Sequence, residues 1–394
     1  MRIIRNNPCN LWLMRIGLDG IPLASRKTGI GHYTLELARA LAKLAPHDQF
    51  ELLSPVRFIS SLEHSPTNLR QVEAARRKFW FIVGLPLYIR RNSLALFHGT
   101  NYEVPWWNEC PAILSIHDLS LLLHSETHQS HLVRRARYRL PLMARWATKI
   151  ITASEFMKKE VSEHLKIDAE KIAVTPYAPR HNFRPLERSD TEQTRLRLGV
   201  EDVFILFVGT IEPRKNLITL LRAFSEILKN TDLRPQLVIA GQEGWLVGET
   251  LNYVHSEGLS ERIKFTGYIT DAELRALYSS CAVFVYPSLY EGFGLPPLEA
   301  MACGAPVITS DVPSLRETVG EAALLVAPTD AQKLAGGIVD MLRDEEQKTY
   351  FSQVGLERAS QFTWERTAHL TMEVYREVTL KEFPRKGAKA QRKI

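Results

Sequence analysis

Two glutamates eight residues apart, Glu291 and Glu299, bracket the stretch Glu291-Gly292-Phe293-Gly294-Leu295-Pro296-Pro297-Leu298-Glu299. The glycines flex a loop and the prolines mark a helix start near Pro296, so Glu291 falls in the loop and Glu299 about one turn inside the helix. Backbone amides at Gly292, Phe293, Gly294 and Leu295 are free at such a start, where the helix dipole favours an anion. A loop acid and a helix acid bind two sets of hydroxyls, and the amides between them hold phosphate. Upstream, Gly209-Thr210-Ile211-Glu212-Pro213-Arg214-Lys215-Asn216 sets two cations, Arg214 and Lys215, side by side. Such a pair neutralises a phosphate group whose charge grows as a bond breaks. Thr28-Gly29-Ile30-Gly31-His32-Tyr33 offers small residues before a helix expected over 34–44. It lacks the full dinucleotide fingerprint, which argues against a nicotinamide cofactor. Ser115-Ile116-His117-Asp118-Leu119 ends with a histidine at a strand terminus.

These residues need elements to position them. Short Val, Ile, Leu and Phe runs ending in Gly, Asp or Ser alternate with stretches of helical period, the pattern of parallel sheets with crossover helices. The first half carries such runs at 15–20, 50–54, 94–99, 112–117, 149–154 and 171–176, the second at 204–210, 236–241, 263–267, 283–288, 306–310 and 323–327. Between the halves, 179–190 is polar, punctuated by proline and of neither period, and reads as a linker. The fold class is therefore α/β, with two Rossmann-like domains. Open parallel sheets take ligands at the carboxyl ends of their strands, and two such domains facing each other would build an interdomain cleft.

The chain has 394 residues, enough for two cores, with 45% hydrophobic and 24% charged residues, the balance of a folded globular protein. A net charge of +6 favours an anionic partner without naming it. Cys9, Cys110, Cys281 and Cys303 form no C-x-x-C pair, so neither a disulfide framework nor a zinc site is indicated, and a reducing cytoplasm fits. Twelve histidines show no H-x-x-x-H or H-E-x-x-H spacing and no D-x-D occurs, which gives no pattern for a catalytic metal. The longest apolar run, 79–89, is interrupted by Gly84 and Pro86 and is too short to span a bilayer. Residues 1–13 lack the apolar core of a signal peptide and read as a disordered segment or an upstream-start extension.

The motif around Glu291 and Glu299, with Glu299-Ala300-Met301-Ala302-Cys303-Gly304 after it, resembles family 4 of the retaining nucleotide-sugar glycosyltransferases, especially its polysaccharide mannosyltransferases. The resemblance runs from Met14 to about Leu380 and implies the GT-B fold of two facing Rossmann-like domains. It implies an acceptor-binding domain over 14–182, a donor-binding domain over 183–365, a helix over 366–380 crossing back to the first domain, and a basic flexible tail over 381–394. It places Arg214 and Lys215 on the donor diphosphate, Glu299 on the ribose and Glu291 on hydroxyls of the transferred sugar. It puts His117 beside that sugar and Gly29 and Gly31 near donor phosphate and acceptor. Tyr268 and Ile269, after Phe265-Thr266-Gly267, would frame the nucleotide base. The implied reaction is metal-independent transfer of a hexose with retention, mannose from GDP-mannose being the first reading. No cofactor is expected beyond the nucleotide-diphosphate sugar as co-substrate. The acceptor would be a saccharide or lipid-linked saccharide of surface-polysaccharide or lipopolysaccharide biosynthesis.

Basic and aromatic residues gather at Arg70, Arg76, Arg77, Lys78, Phe79, Trp80, Phe81, Arg90 and Arg91, and again from Arg134 to Lys149, where no acid occurs between His131 and Lys149. Such surfaces suit peripheral attachment to the inner, anionic face of the cell membrane. The alternatives are another GT-B enzyme (a UDP-hexose-dependent transferase, a sugar-nucleotide epimerase or a phosphorylase) and a non-catalytic basic protein that binds nucleic acid. Nucleic acid is not the expected partner, because the charge carries no recognition motif.

Overall fold

The structure is a computed structural model that describes residues 13–59, 62–74, 78–107 and 109–391, with side chains to 380; the expectation for residues 1–12 lies outside it. The first sheet contains β1 (Arg15–Asp19), β2 (Gln49–Ser54), β3 (Leu69–Glu73), β4 (Leu96–Gly99), β5 (Ala112–Ser115), β6 (Lys149–Thr152) and β7 (Ile172–Val174), in the order β3-β2-β1-β4-β5-β6-β7. The second contains β8 (Phe204–Val208), β9 (Gln236–Ala240), β10 (Ile263–Gly267), β11 (Val283–Tyr286), β12 (Val307–Ser310) and β13 (Leu324–Val326), in the order β10-β9-β8-β11-β12-β13. Its strands pair in parallel throughout. The chain run Phe-Ile-Leu-Phe-Val of β8 shows why: a parallel strand covered on both faces needs apolar side chains on both. The strand absent from the expectations is β3. It is an edge strand, Leu-Arg-Gln-Val-Glu, in which only Leu69 is buried, so its sequence carries almost no hydrophobic signal.

Strand order reverses between β1 and β4 in the first sheet and between β8 and β11 in the second. Those reversals open crevices at the carboxyl ends of the strands, where ligands of doubly wound sheets bind. The loops that carry Arg214, Lys215 and Glu291 follow β8 and β11.

The chain groups into two compact units that are discontinuous in sequence. One takes residues up to Ser115 with Met143–Ile151 and the chain from Ala368; the other takes Ile116–Leu142 and Thr152–Thr367. In the first, the helix Gly29–Leu44 begins at Gly29 and not at Thr34 as expected, with Thr28 extended before it. Both glycines therefore sit in a helical first turn. A β-carbon on Gly31 would come within 3.0 Å of the Pro22 carbonyl oxygen, so this position is small because the Ile21–Leu23 turn packs on it. The last helix, Trp364–Gln391, continues through most of the stretch expected to be a flexible tail. In the first unit its Tyr375 hydroxyl meets His98 Nδ1 at 2.7 Å, His98 Nε2 meets Ser115 Oγ at 2.8 Å, and Ser115 Oγ meets the Tyr33 hydroxyl at 2.8 Å.

Candidate active site

At the crevice of the second sheet the chain leaves β8, makes the short turn Pro213–Lys215 and enters the helix Leu217–Asn230 through Asn216. Asn216 holds a left-handed backbone (φ 55°) that asparagine tolerates better than most residues. Its Nδ2 donates to the carbonyls of Pro287 at 2.9 Å and Pro328 at 2.7 Å, and its Oδ1 accepts from Thr219 Oγ1 at 2.8 Å. The Leu289 amide donates to the Arg214 carbonyl at 2.9 Å. The loops after β8 and β11 are thereby sewn together.

The stitching brings Arg214, Lys215 and Glu291 into one buried ion network. Glu291 Oε1 accepts from Lys215 Nζ at 2.6 Å, from the Tyr286 hydroxyl at 2.8 Å and from Ser288 Oγ at 2.6 Å, and lies 3.3 Å from Arg214 Nη1. None of these bonds falls on Oε2. Arg214 Nη1 donates to the Tyr290 carbonyl at 2.9 Å and Nη2 to Glu212 Oε1 at 2.7 Å, while its Nε is buried with no hydrogen-bond partner. Burial alone would raise the Glu291 carboxyl, but the charges of Lys215 and Arg214, with hydrogen bonds from Lys215 and Ser288, hold it down at about 2. Burial and then the neighbouring Arg214 charge push the Lys215 ammonium below its usual range. For Arg214 burial opposes the charge, and Glu291, Asp118 and Glu212 outweigh it. Burial raises Glu212. The site thus sets two cations against two acids in a dry setting, where added phosphate charge is strongly felt.

Glu291 is followed by backbone that cannot carry a side chain. A β-carbon on Gly292 would stand 1.7 Å from the His117 carbonyl oxygen, and Ser154 Oγ donates to the Gly292 carbonyl at 2.7 Å. Gly294, at φ 101°, precedes the helix Leu295–Ala302. Phe293 packs its ring 5.2 Å from Tyr177 and 5.8 Å from Phe362. His117 is half-buried, with Nδ1 2.6 Å from the Tyr177 hydroxyl.

Glu299 lies one turn into that helix, as expected, but it is only 1% exposed and engaged by Arg180, whose Nε stands 2.9 Å from Oε1 and whose Nη2 donates to Oε2 at 3.2 Å. Arg180 Nη1 also donates to Asp271 Oδ1 at 2.7 Å. Burial outweighs Arg180 and lifts the Glu299 carboxyl to about 7. Tyr268 is 43% exposed and Ile269 half-buried, just beyond Gly267 at the end of β10. Gly29 and Gly31 belong to the other unit.

Sequence reasoning missed Glu212, Tyr286, Ser288 and Arg180. Glu212, Tyr286 and Ser288 lie inside the two motifs, and only the fold shows that their side chains turn onto Arg214 and Glu291. Arg180 sits in the polar stretch 179–190, which lies inside the second unit, and an isolated arginine there gives no signal. On the helix Glu155–Leu165, an E-x-x-E-H spacing brings ligand atoms of Glu160, Glu163 and His164 within 4.8 Å of one another on its partly solvated face.

Some of the basic and aromatic residues are structural. Trp80 is buried, Arg70 pairs with Glu51, and Lys149 with Glu377 at 3.0 Å; Arg76 and Arg77 lie outside the described residues. An exposed stripe remains on the helix Ser130–Trp146, with Arg134, Arg135, Tyr138, Leu142 and Arg145 at helical spacing. Among the described residues no helix is long and apolar enough to cross a membrane.

Two Rossmann-like sheets, with buried cations and acids at the crevice of the second, define the class of a GT-B transferase. Residues 27–178 match the family model described as Glycosyltransferase Family 4 and residues 189–358 that described as Glycosyl transferases group 1. The chain is 33% identical over 385 residues to O-antigen chain mannosyltransferase B of Escherichia coli, covering 92% of this chain and all of that one. It is 34% identical over 276 residues to the serotype-specific mannosyltransferase WbdA of Escherichia coli, covering 69% of this chain and 33% of that one. Sucrose-phosphate synthase from Thermosynechococcus elongatus superposes with a TM-score of 0.75 at 24% identity, over 93% of this chain and all of that one. The chain belongs to these family 4, group 1 glycosyltransferases, and it is an enzyme of that class.

Proposed function

We propose that the protein transfers a hexose, with retention and without a metal ion, from a nucleotide-diphosphate sugar to a saccharide or lipid-linked acceptor in surface-polysaccharide synthesis. The observation that carries this is the buried Arg214 and Lys215 pair at the crevice of the second sheet, with Glu291 pinned between them through one oxygen. The pair receives the leaving diphosphate and offsets its growing charge, work that a divalent ion does in other transferases. The free Glu291 Oε2 takes hydroxyls of the transferred sugar. Glu299 takes the ribose, which requires the sugar to share the carboxylate with Arg180, and Tyr268 and Ile269 border the base.

A carboxylate held near 2 is a weak base, so Glu291 orients the sugar and the departing phosphate deprotonates the acceptor hydroxyl on the same face. His117, steadied by Tyr177, positions the sugar. The first domain takes the acceptor. The mannosyltransferase names of the relatives favour mannose and GDP-mannose, and the arginine stripe of the helix Ser130–Trp146 favours peripheral attachment at the inner face of the cell membrane.

The test is incubation with GDP-mannose or a UDP-hexose, with and without acceptor oligosaccharide. Nucleoside diphosphate should appear with acceptor and GDP-mannose, and NMR of the product should show an α-mannoside. Nucleotide release without acceptor would favour another GT-B chemistry, and a β-linked product would remove retention. EDTA should leave the rate within about twofold; abolition with rescue by magnesium or manganese would overturn the metal-free reading.

A further inference from the structure

Outside the motifs, the second unit holds a histidine that the proposed reaction has not used. His128 follows the short turn Ser125–Thr127, and its amide donates to the Ser125 carbonyl at 3.2 Å. Trp245, in the loop after β9, donates from Nε1 to the Thr127 carbonyl at 2.6 Å and lays its ring 5.6 Å from the imidazole, tilted by 34°. The ring is thus held between a fixed backbone turn and an indole. Its Nε2 is nevertheless buried with no hydrogen-bond partner. Arg214 Nε is orphaned in the same way.

A buried nitrogen without a partner is destabilising and rare in folded proteins. Two of them are electrostatic neighbours: after burial, the Arg214 charge is the chief influence holding the His128 imidazole below its usual range. The loop that carries Trp245 is itself bound to the loop after β8, through the Ile211–Glu243 bridge and the Gly244 amide, which donates to the Ile211 carbonyl at 3.0 Å, so the imidazole is held beside the loop of Arg214. Arg214 Nε can only donate and so lacks an acceptor, His128 Nε2 lacks one when it carries the ring proton, and a diphosphate brings several acceptor oxygens.

We propose that His128 is a further ligand of the donor diphosphate, giving a hydrogen bond from Nε2 to a non-bridging phosphate oxygen while Arg214 Nε takes another. This rests on the donor-site reading given above. The bond strengthens as the leaving group gains charge, so His128 contributes to turnover as well as to binding. The held Trp245 ring keeps the imidazole in place before the donor arrives.

The test measures nucleotide binding calorimetrically and turnover kinetically in wild type, His128→Ala, His128→Gln and His128→Asn. Glutamine places an amide nitrogen near the Nε2 position and asparagine near Nδ1. The alanine variant should bind GDP at least about tenfold more weakly, the loss expected for one hydrogen bond to a charged group. Its affinity for GMP should change less and its melting temperature should stay within a few degrees. Glutamine should restore most of the GDP affinity and of kcat, and asparagine should not. Unchanged GDP affinity in His128→Ala, equal behaviour of glutamine and asparagine, or an equal loss for GMP would overturn the assignment. If wild type binds no nucleoside diphosphate, whichever base is offered, the donor-site reading itself fails; if wild type binds and His128→Ala binds equally, only the role of His128 falls.

Discussion

Arg214 and Lys215 are oriented by the protein's own acids before any donor arrives, and this shapes what their removal does. Arg214→Ala strips Glu212 and Glu291 of a partner, and Lys215→Ala strips Glu291 of its shortest bond. Each variant should lose turnover by roughly two to three orders of magnitude, the cost of removing a preorganised electrostatic donor, in steady-state assays at saturating donor. Lys215→Arg should not restore it, since a planar fork does not fit the point contact that Nζ makes with both Glu291 and Tyr286.

The two glutamates respond to pH in opposite senses. Glu299 rises from the usual carboxylate range to about 7 on folding, so its contribution to stability is full below an unfolded value of about 4.5 and is lost as pH climbs through 7. Glu291 falls to about 2, so its contribution is present above about 4.5 and lost only as pH drops through 2. In the ligand-free protein, Glu299→Gln should therefore flatten the decline of melting temperature between pH 5 and 8, followed by scanning calorimetry. A variant that declines as steeply as wild type would show that Glu299 is already ionised beside Arg180. The spacing of the glutamates was legible in the sequence because glycine and proline punctuate it. Their opposite electrostatics were not, because they depend on which side chains the fold packs around each carboxyl, and Arg180 comes from more than a hundred residues upstream.

At the scale of elements, the loop after β8 and the loop after β11 act as one piece through Asn216. Asn216→Ala would leave the carbonyls of Pro287 and Pro328 unpaired and put a β-carbon residue that dislikes it at φ 55°. The expected loss of stability is roughly 2–5 kcal/mol, measured by urea unfolding, with donor affinity falling in parallel. Asn216→Gly removes the strain but not the lost bonds and should recover only part. Twelve of the thirteen strands among the described residues follow the apolar runs within a few positions. The edge strand β3 escaped because an edge strand needs few apolar residues. The helix Gly29–Leu44 starts earlier than its sequence announces, because glycine is a poor helix former, whereas here Gly31 is required by the Ile21–Leu23 turn packed on it.

For the whole molecule, the buried chain Tyr33, Ser115, His98 and Tyr375 ties four separate stretches of the first unit together. Tyr375→Phe removes the buried hydrogen bond to His98 Nδ1 and should lower stability by roughly 1–3 kcal/mol with no change in donor affinity; a fall in donor affinity of tenfold would refute that separation. The two-sheet α/β architecture was readable from the alternating apolar runs. The grouping into discontinuous units was not, because no local pattern announces which distant segment a helix will join.

That discontinuity bears on how the chain is made. A ribosome delivers the polypeptide in order, and domains that are continuous in sequence fold as they emerge. The first unit cannot do so, since it groups residues up to Ser115 with Tyr375 and the helix from Ala368, which emerge only after the whole of the intervening stretch. The strands β1 to β5 must wait through the synthesis of everything between, with the face that this helix covers exposed. Termination before Ala368, far from Arg214 and Glu291, would therefore harm a unit whose other strands were translated long before.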